Sequence, residues 1–155
     1  MIVIENLSAT IYGKSLFENL DVVVRPGEKV GIIGQNGRGK STLLKLIAGQ
    51  IEPDEGTITL DLELVGYLPQ SIDAANNTTI ENYLDLPSYP QSWALLGKLG
   101  LGEIDISQHV GALSGGQKTR LALIKTLSIQ PTLLLMDEPT NNLDPEGLEH
   151  LAKFL

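Results

Sequence analysis

The 155-residue sequence predicts an α/β fold whose sheet is mostly parallel and buried. Three observations carry that expectation. β-Branched strands alternate with helical runs, the apolar runs show no period of two, and a glycine-rich loop joins a strand directly to a helix. A composition of 42% hydrophobic and 19% charged residues is ordinary globular usage, which excludes disordered and fibrous chains.

The elements follow in order. Ile2-Val3-Ile4, Ala9 to Tyr12 and Asp21 to Val24 read as short strands. Arg25-Pro26-Gly27-Glu28 is a turn, because proline presets φ and glycine tolerates the reversal. Lys29 to Ile33 reads as a buried strand, Gly34 to Gly39 as a loop, and Ser41 to Ala48 as a helix that Gly49 stops. Thr57 to Leu60 and Leu64 to Leu68 are two further strands. Residues 71–112 change character. Asn76-Asn77-Thr78-Thr79 can start a short helix, and Pro87, Pro90, Gly97, Gly100 and Gly102 break the remainder into small pieces. A helix from Ser114 to about Ser128 ends before Pro131, and Leu133 to Met136 is an apolar strand. The last helix opens at Pro145 with an apolar stripe of Leu148, Leu151, Ala152 and Leu155.

Charge and composition narrow the function. With 11 basic against 19 acidic residues the net charge is −8, so binding nucleic acid by bulk electrostatics is not expected. The absence of cysteine excludes disulfides, a thiol nucleophile and zinc–thiolate sites. No apolar run approaches the ~20 residues that cross a bilayer. Met1 to Glu5 lacks the basic flank of a signal peptide, and the expected location is the cytoplasm, with no direct membrane insertion.

Gly34-Gln35-Asn36-Gly37-Arg38-Gly39-Lys40-Ser41 fits G-x-x-x-x-G-K-[ST] between a strand and a helix. The glycines let successive N–H groups turn inward as an anion nest, and the helix adds its positive end. Lys40 is expected on the β- and γ-phosphates, and the Ser41 hydroxyl on Mg²⁺, with Thr42 following in the same turn. Asp137-Glu138 leaves the end of an apolar strand, the edge where α/β sheets bind ligands. Asp137 is expected to hold Mg²⁺ through water, and Glu138 to polarise a water for attack on the γ-phosphate. Ser114-Gly115-Gly116-Gln117 reads as a capping box. Its two glycines, each costing ~1 kcal/mol in a helix interior, are hard to explain by capping and point to an anion approaching the backbone.

Together, Leu113-Ser114-Gly115-Gly116-Gln117, the loop at 34–41 and Met136-Asp137-Glu138-Pro139-Thr140 resemble an ATP-binding cassette (ABC) ATPase domain, from residue 2 to 155. The resemblance implies a P-loop NTPase core with N-terminal antiparallel strands and a small helical insert. Its parts are a core at 1–70, an insert at 71–112, and at 113–155 the signature helix, the acidic strand and the D-loop. It implies ATP and Mg²⁺ as cofactors and hydrolysis of ATP. It also implies a second cassette as partner, whose γ-phosphate Leu113, Ser114, Gly115, Gly116 and Gln117 would meet. Tyr12 matches the aromatic that stacks on adenine, and reads otherwise as an edge-strand aromatic. Gln70 matches the glutamine that senses Mg²⁺ and the attacking water. Asp144 matches the D-loop aspartate and is also a good N-cap before Pro145.

Gly116 to Leu123, Pro139-Thr140-Asn141-Asn142-Leu143-Asp144 and Val65-Gly66-Tyr67-Leu68-Pro69-Gln70 resemble the ABC-F group most. Members of that group carry two cassettes, lack membrane spans, mostly act on the ribosome, and in some cases confer antibiotic resistance. The alternatives are the ATPase subunit of a membrane transporter, docking on its transmembrane partner, and a nucleotide-binding piece without hydrolysis. The family's switch histidine lies farther beyond Glu138 than this sequence reaches, and neither His109 nor His150 is assigned that role. The strand bearing that histidine lies between the phosphate-loop strand and the Asp137 strand. The expectation is therefore a piece of a longer protein, the first cassette, with a slot in its sheet and weak ATPase activity alone, or else a chain whose slot is filled by a segment of another copy. Unpaired backbone groups in such a slot cost ~1–3 kcal/mol each if buried. Arg38, where many cassettes have a small residue, either adds charge near the phosphates or faces solvent.

Overall fold

A computed structural model describes residues 1–61, 64–70, 77–141, 143 and 145–154, without the side chains of Glu146, His150, Lys153 and Phe154. The expectations for Asn76, Asp144 and Leu155, and for the side chain of His150, lie outside the described residues. The chain divides into two compact units, Met1–Val65 and Gly66–Leu155.

In the first unit, β1 (Ile2–Ile11) and β2 (Lys14–Val24) form an antiparallel hairpin, and β3 (Glu55–Leu60) pairs with the other side of β1. The sheet order is β2-β1-β3. The two apolar runs expected at the N-terminus are thus one strand. Asn6 at its middle takes φ 50, and the register shifts there against both neighbours. Polar side chains take over where the ladder fails: Asn6 N–H donates to Asp21 Oδ1 at 2.7 Å, and Asn19 N–H donates to Ser8 Oγ at 3.2 Å. Gly56 has to be glycine. It sits at φ 85, and a Cβ there would lie 2.4 Å from the Asn6 carbonyl oxygen.

The buried strand expected at 29–33 is not formed. That segment joins neither sheet, and Val30, Ile32 and Ile33 are exposed, the last at 98%. β-Branched residues favour a strand only when neighbours cover them, and among the described residues no strand pairs with these. The helix after the loop, α1 (Lys40–Ile47), is closed as expected by Gly49 at φ 68. Gly49 N–H donates to Leu46 O and Gln50 N–H to Lys45 O, a Schellman pair. Leu43, Leu44, Leu46 and Ile47 make its buried face.

β4 (Val65–Leu68), whose last three residues open the second unit, lies beside β5 (Leu133–Met136). Gly66 lets β4 lie close against the helix at Gly115–Ser128 and the connection that follows it, because a Cβ would meet the Thr126 methyl and Pro131 at 2.9 Å. Between the strands come α2 (Ile80–Leu84), α3 (Ser92–Lys98), a 3₁₀ turn at Val110–Ala112, and α4 (Gly115–Ser128). Thr79 caps α2 by accepting from Asn82 N–H at 3.3 Å. Gly97, read as a breaker, lies inside α3, where Gly102 packs against its backbone. The core is built on Leu121, Ala122, Leu123, Ile124 and Leu127 of α4, joined by Leu68, Ile80, Leu84 and Leu96. Within it, the Ser92 and Ser128 hydroxyls meet at 2.5 Å, Ser128 Oγ donates to Ile124 O, and Gln91 Nε2 donates to Ser128 O. α5 (Pro145–Phe154) buries Leu151 and leaves Leu148 and Ala152 exposed.

Candidate nucleotide site

Tyr12 and the glycine-rich loop belong to the first unit. Tyr12 is not on an edge strand. It forms the two-residue turn between β1 and β2 with Gly13, at φ 51 and 74, and is fully exposed. Positive φ at both positions matches the right-handed twist of a hairpin. The loop from Gly34 through Gln35, Asn36, Gly37 and Arg38 to Gly39 is exposed except for half-buried Gly39, and Arg38 takes the solvent-facing reading. Gly37 and Gly39 are left-handed at φ 76 and 92, and Gly39 caps α1. A Cβ at Gly39 would come 2.8 Å from Phe17 Cζ, so backbone angle and ring both require glycine. Lys40 Nζ folds over the loop and donates to Gly34 O at 3.0 Å, Gln35 O at 3.4 Å and Asn36 Oδ1 at 3.4 Å. Lys40, Ser41 and Thr42 form the first turn of α1, where backbone N–H groups have no acceptor within the helix. Helix-end N–H groups and an ammonium beside a glycine-rich loop are the chemistry that can meet an anion.

Gln70, Asp137, Glu138 and Leu113 to Gln117 belong to the second unit. Asp137 follows β5, is 3% exposed, and its N–H donates to Leu68 O at 2.9 Å, which ties it to the end of β4. Gln70, beyond that same end, donates from Nε2 to Glu138 Oε2 at 2.8 Å. The structure therefore joins two expected site residues 68 positions apart. Glu138 is held at φ 48, an uncommon angle for a side-chain-bearing residue and one that clusters at functional sites. Asn141 also donates to Glu138 Oε2. Sequence reasoning gave Asn141 no role, although it lies in the quoted Pro139 to Asp144 run. Burial first, and the Asp137 charge second, push the Tyr67 phenol above its ordinary 10.0.

At the start of α4 the capping box is complete. Gln117 N–H donates to Ser114 Oγ at 3.2 Å, and Ser114 N–H donates to Gln117 Oε1 at 2.9 Å. Gly115 and Gly116 open the helix, with Gly115 exposed and Gly116 half-buried, while Leu113 is buried in the core at 7% exposure. In the second unit the Asp137 carboxylate and the Gln70 amide oxygen, and in the first the Ser41 hydroxyl, are hard oxygens of the kind that magnesium takes.

A left-handed glycine loop capping a helix beneath a folded lysine, and a strand-end Asp-Glu pair with a glutamine on the glutamate, define a phosphate-loop α/β protein. The sequence profile of the ABC transporter family matches residues 17–141, and the chain belongs to that family. It is 38% identical over 162 residues to an uncharacterized ABC transporter ATP-binding protein, YfmM of Bacillus subtilis (strain 168), across 92% of this chain and 31% of that protein. It is 37% identical over 162 residues to the energy-dependent translational throttle protein EttA of Escherichia coli (strain K12), across 98% of this chain and 29% of that protein. It is 33% identical to the tylosin resistance ATP-binding protein TlrC of Streptomyces fradiae, across 90% of this chain and 34% of that protein. The chain thus spans about a third of the length of the curated relatives it matches. Among solved structures it is similar to an ATP-binding subunit of an ABC transporter, with TM-score 0.87, 27% identity, and coverage of 99% of this chain and 72% of that one. A dimeric bacterial ABC transporter cassette, MJ0796, matches with TM-score 0.87 and 25% identity, over 99% and 80% of the two chains. Cassettes of this family bind ATP and are ATPases in general.

Proposed function

We propose that the chain binds ATP with Mg²⁺ and hydrolyses it as the cassette of an ABC-F type protein that acts on the ribosome in the cytoplasm. The convergence of Gln70 on Glu138 carries the reading, because it places an amide from the end of one strand on the carboxylate leaving the next. Tyr12 offers adenine an open aromatic face at the hairpin turn. The N–H groups of residues 34–42 and the Lys40 ammonium take the phosphates. Ser41, Gln70 and, through water, Asp137 are the groups to hold the metal, which when bound neutralises charge on the phosphate oxygens. Glu138 accepts the proton of the attacking water. Ser114 to Gln117 at the start of α4, anchored by Leu113 in the core, are the residues to meet the ATP of a second cassette, and Asp144 is the D-loop candidate. The similarity to EttA, a translational throttle protein, supports the ribosomal role, and that to TlrC, a tylosin resistance protein, supports a role in antibiotic resistance.

The decisive variant is Glu138→Gln. Turnover is expected to fall at least ~100-fold while ATP affinity stays within about twofold of the parent. Equal hydrolysis by the variant and the parent would remove Glu138 from the chemistry. Nucleotide binding without phosphate release by the parent would favour a binding-only cassette. The similarity to transporter subunits supports a second reading, the ATPase of a membrane transporter. Co-sedimentation of the ATP-loaded protein with ribosomes, rather than with membranes, separates the two.

A further inference from the structure

We propose that Asn141 is a positioning residue for Glu138, an inference that rests on the hydrolytic reading above. Two side-chain amides converge on one carboxylate oxygen: Gln70 Nε2 donates to Glu138 Oε2 at 2.8 Å, and Asn141 Nδ2 donates to the same atom. Asn141 is tied a second time, since its backbone N–H donates to the Glu138 carbonyl oxygen at 3.2 Å and closes the turn between them. Asn141 is exposed, so water alone would satisfy its amide. The contact therefore serves the orientation of Glu138 and not the burial of Asn141. Glu138 stands at φ 48, a conformation that persists only where its surroundings over-determine it. Donors to an ionised acceptor are the stronger hydrogen bonds, and two on one oxygen fix how the carboxylate is rotated. Aspartate at 141 would have the same shape but no donor, and would repel Glu138.

The test measures ATP turnover, ATP affinity and thermal midpoint for the parent, Asn141→Ala, Asn141→Asp, Glu138→Gln and Glu138→Gln with Asn141→Ala. Asn141→Ala is expected to lower kcat roughly tenfold, with affinity and midpoint unchanged. Asn141→Asp is expected to lose more, and the double variant no more than Glu138→Gln alone. A parental kcat in Asn141→Ala or in Asn141→Asp overturns the inference, while an inactive Glu138→Gln leaves the hydrolytic reading standing. Turnover unaffected by Glu138→Gln sinks that reading instead. Nuclear magnetic resonance of the ¹⁵N side-chain amides tests the contact without turnover. The Asn141 NH₂ resonances are expected to shift in Glu138→Ala, and unmoved resonances overturn the proposal.

Discussion

Tyr67 carries a buried hydroxyl with no hydrogen-bond partner among the described residues, on the strand that leads to Gln70. Its phenol is pushed above 10.0 by burial and by Asp137, and burial does the same to Tyr83. A folded pKa above the unfolded one favours the neutral phenol, so this stability is complete below the unfolded value and is lost as pH climbs through the folded one. Urea midpoints at about pH 9 and about pH 11 are expected to differ more for the parent than for a Tyr67→Phe, Tyr83→Phe variant. An equal loss in both would refute the coupling. Removing the unpaired Tyr67 hydroxyl is expected to be neutral or stabilising at neutral pH. At this scale the sequence offered Lys40, Asp137 and Glu138 as candidates from their motifs, and Gln70 from the family resemblance. It missed the hydrogen bond of Asn141 and the left-handed angle of Glu138, because both depend on how a turn closes.

Helix α4 was the most legible element. Ser114 and Gln117 satisfy each other's orphan N–H groups by local geometry, which spacing alone reveals. Ser114→Ala is expected to cost about 1 kcal/mol, while Ser114→Asp, another good cap, keeps most of it. Calorimetry is expected to show Ser114→Ala melting ~2–4 °C lower, and an unchanged midpoint would mean the cap is idle. The 29–33 segment was the least legible. Val30, Ile32 and Ile33 have the composition of a buried strand, but burial is conferred by neighbours. The join of two expected strands into β1 has the same origin, because the irregularity at Asn6 is held by Asp21 from the adjacent strand.

For the molecule as a whole, the net charge of −8 sets how it meets nucleic acid. Counterion release needs a basic surface, so the chain is expected to show no retardation of bare single-stranded RNA at physiological salt. A shifted band that weakens steeply with salt would reveal a basic patch that outweighs the net charge. Among the described residues no helix is long and apolar enough to cross a membrane.

What the sequence determined by itself was local. Glycines at fixed spacing, a lysine at the head of a helix, a capping box and an apolar run ending in two carboxylates are each specified within a few residues, because φ preference and helix-end hydrogen bonding act at that range. The tertiary structure decided what depends on partners distant in sequence: the amide of Gln70 on Glu138, Gly56 beneath the Asn6 carbonyl, and the exposure of Ile33. Those rest on packing and ladder pairing, which no short window of sequence contains.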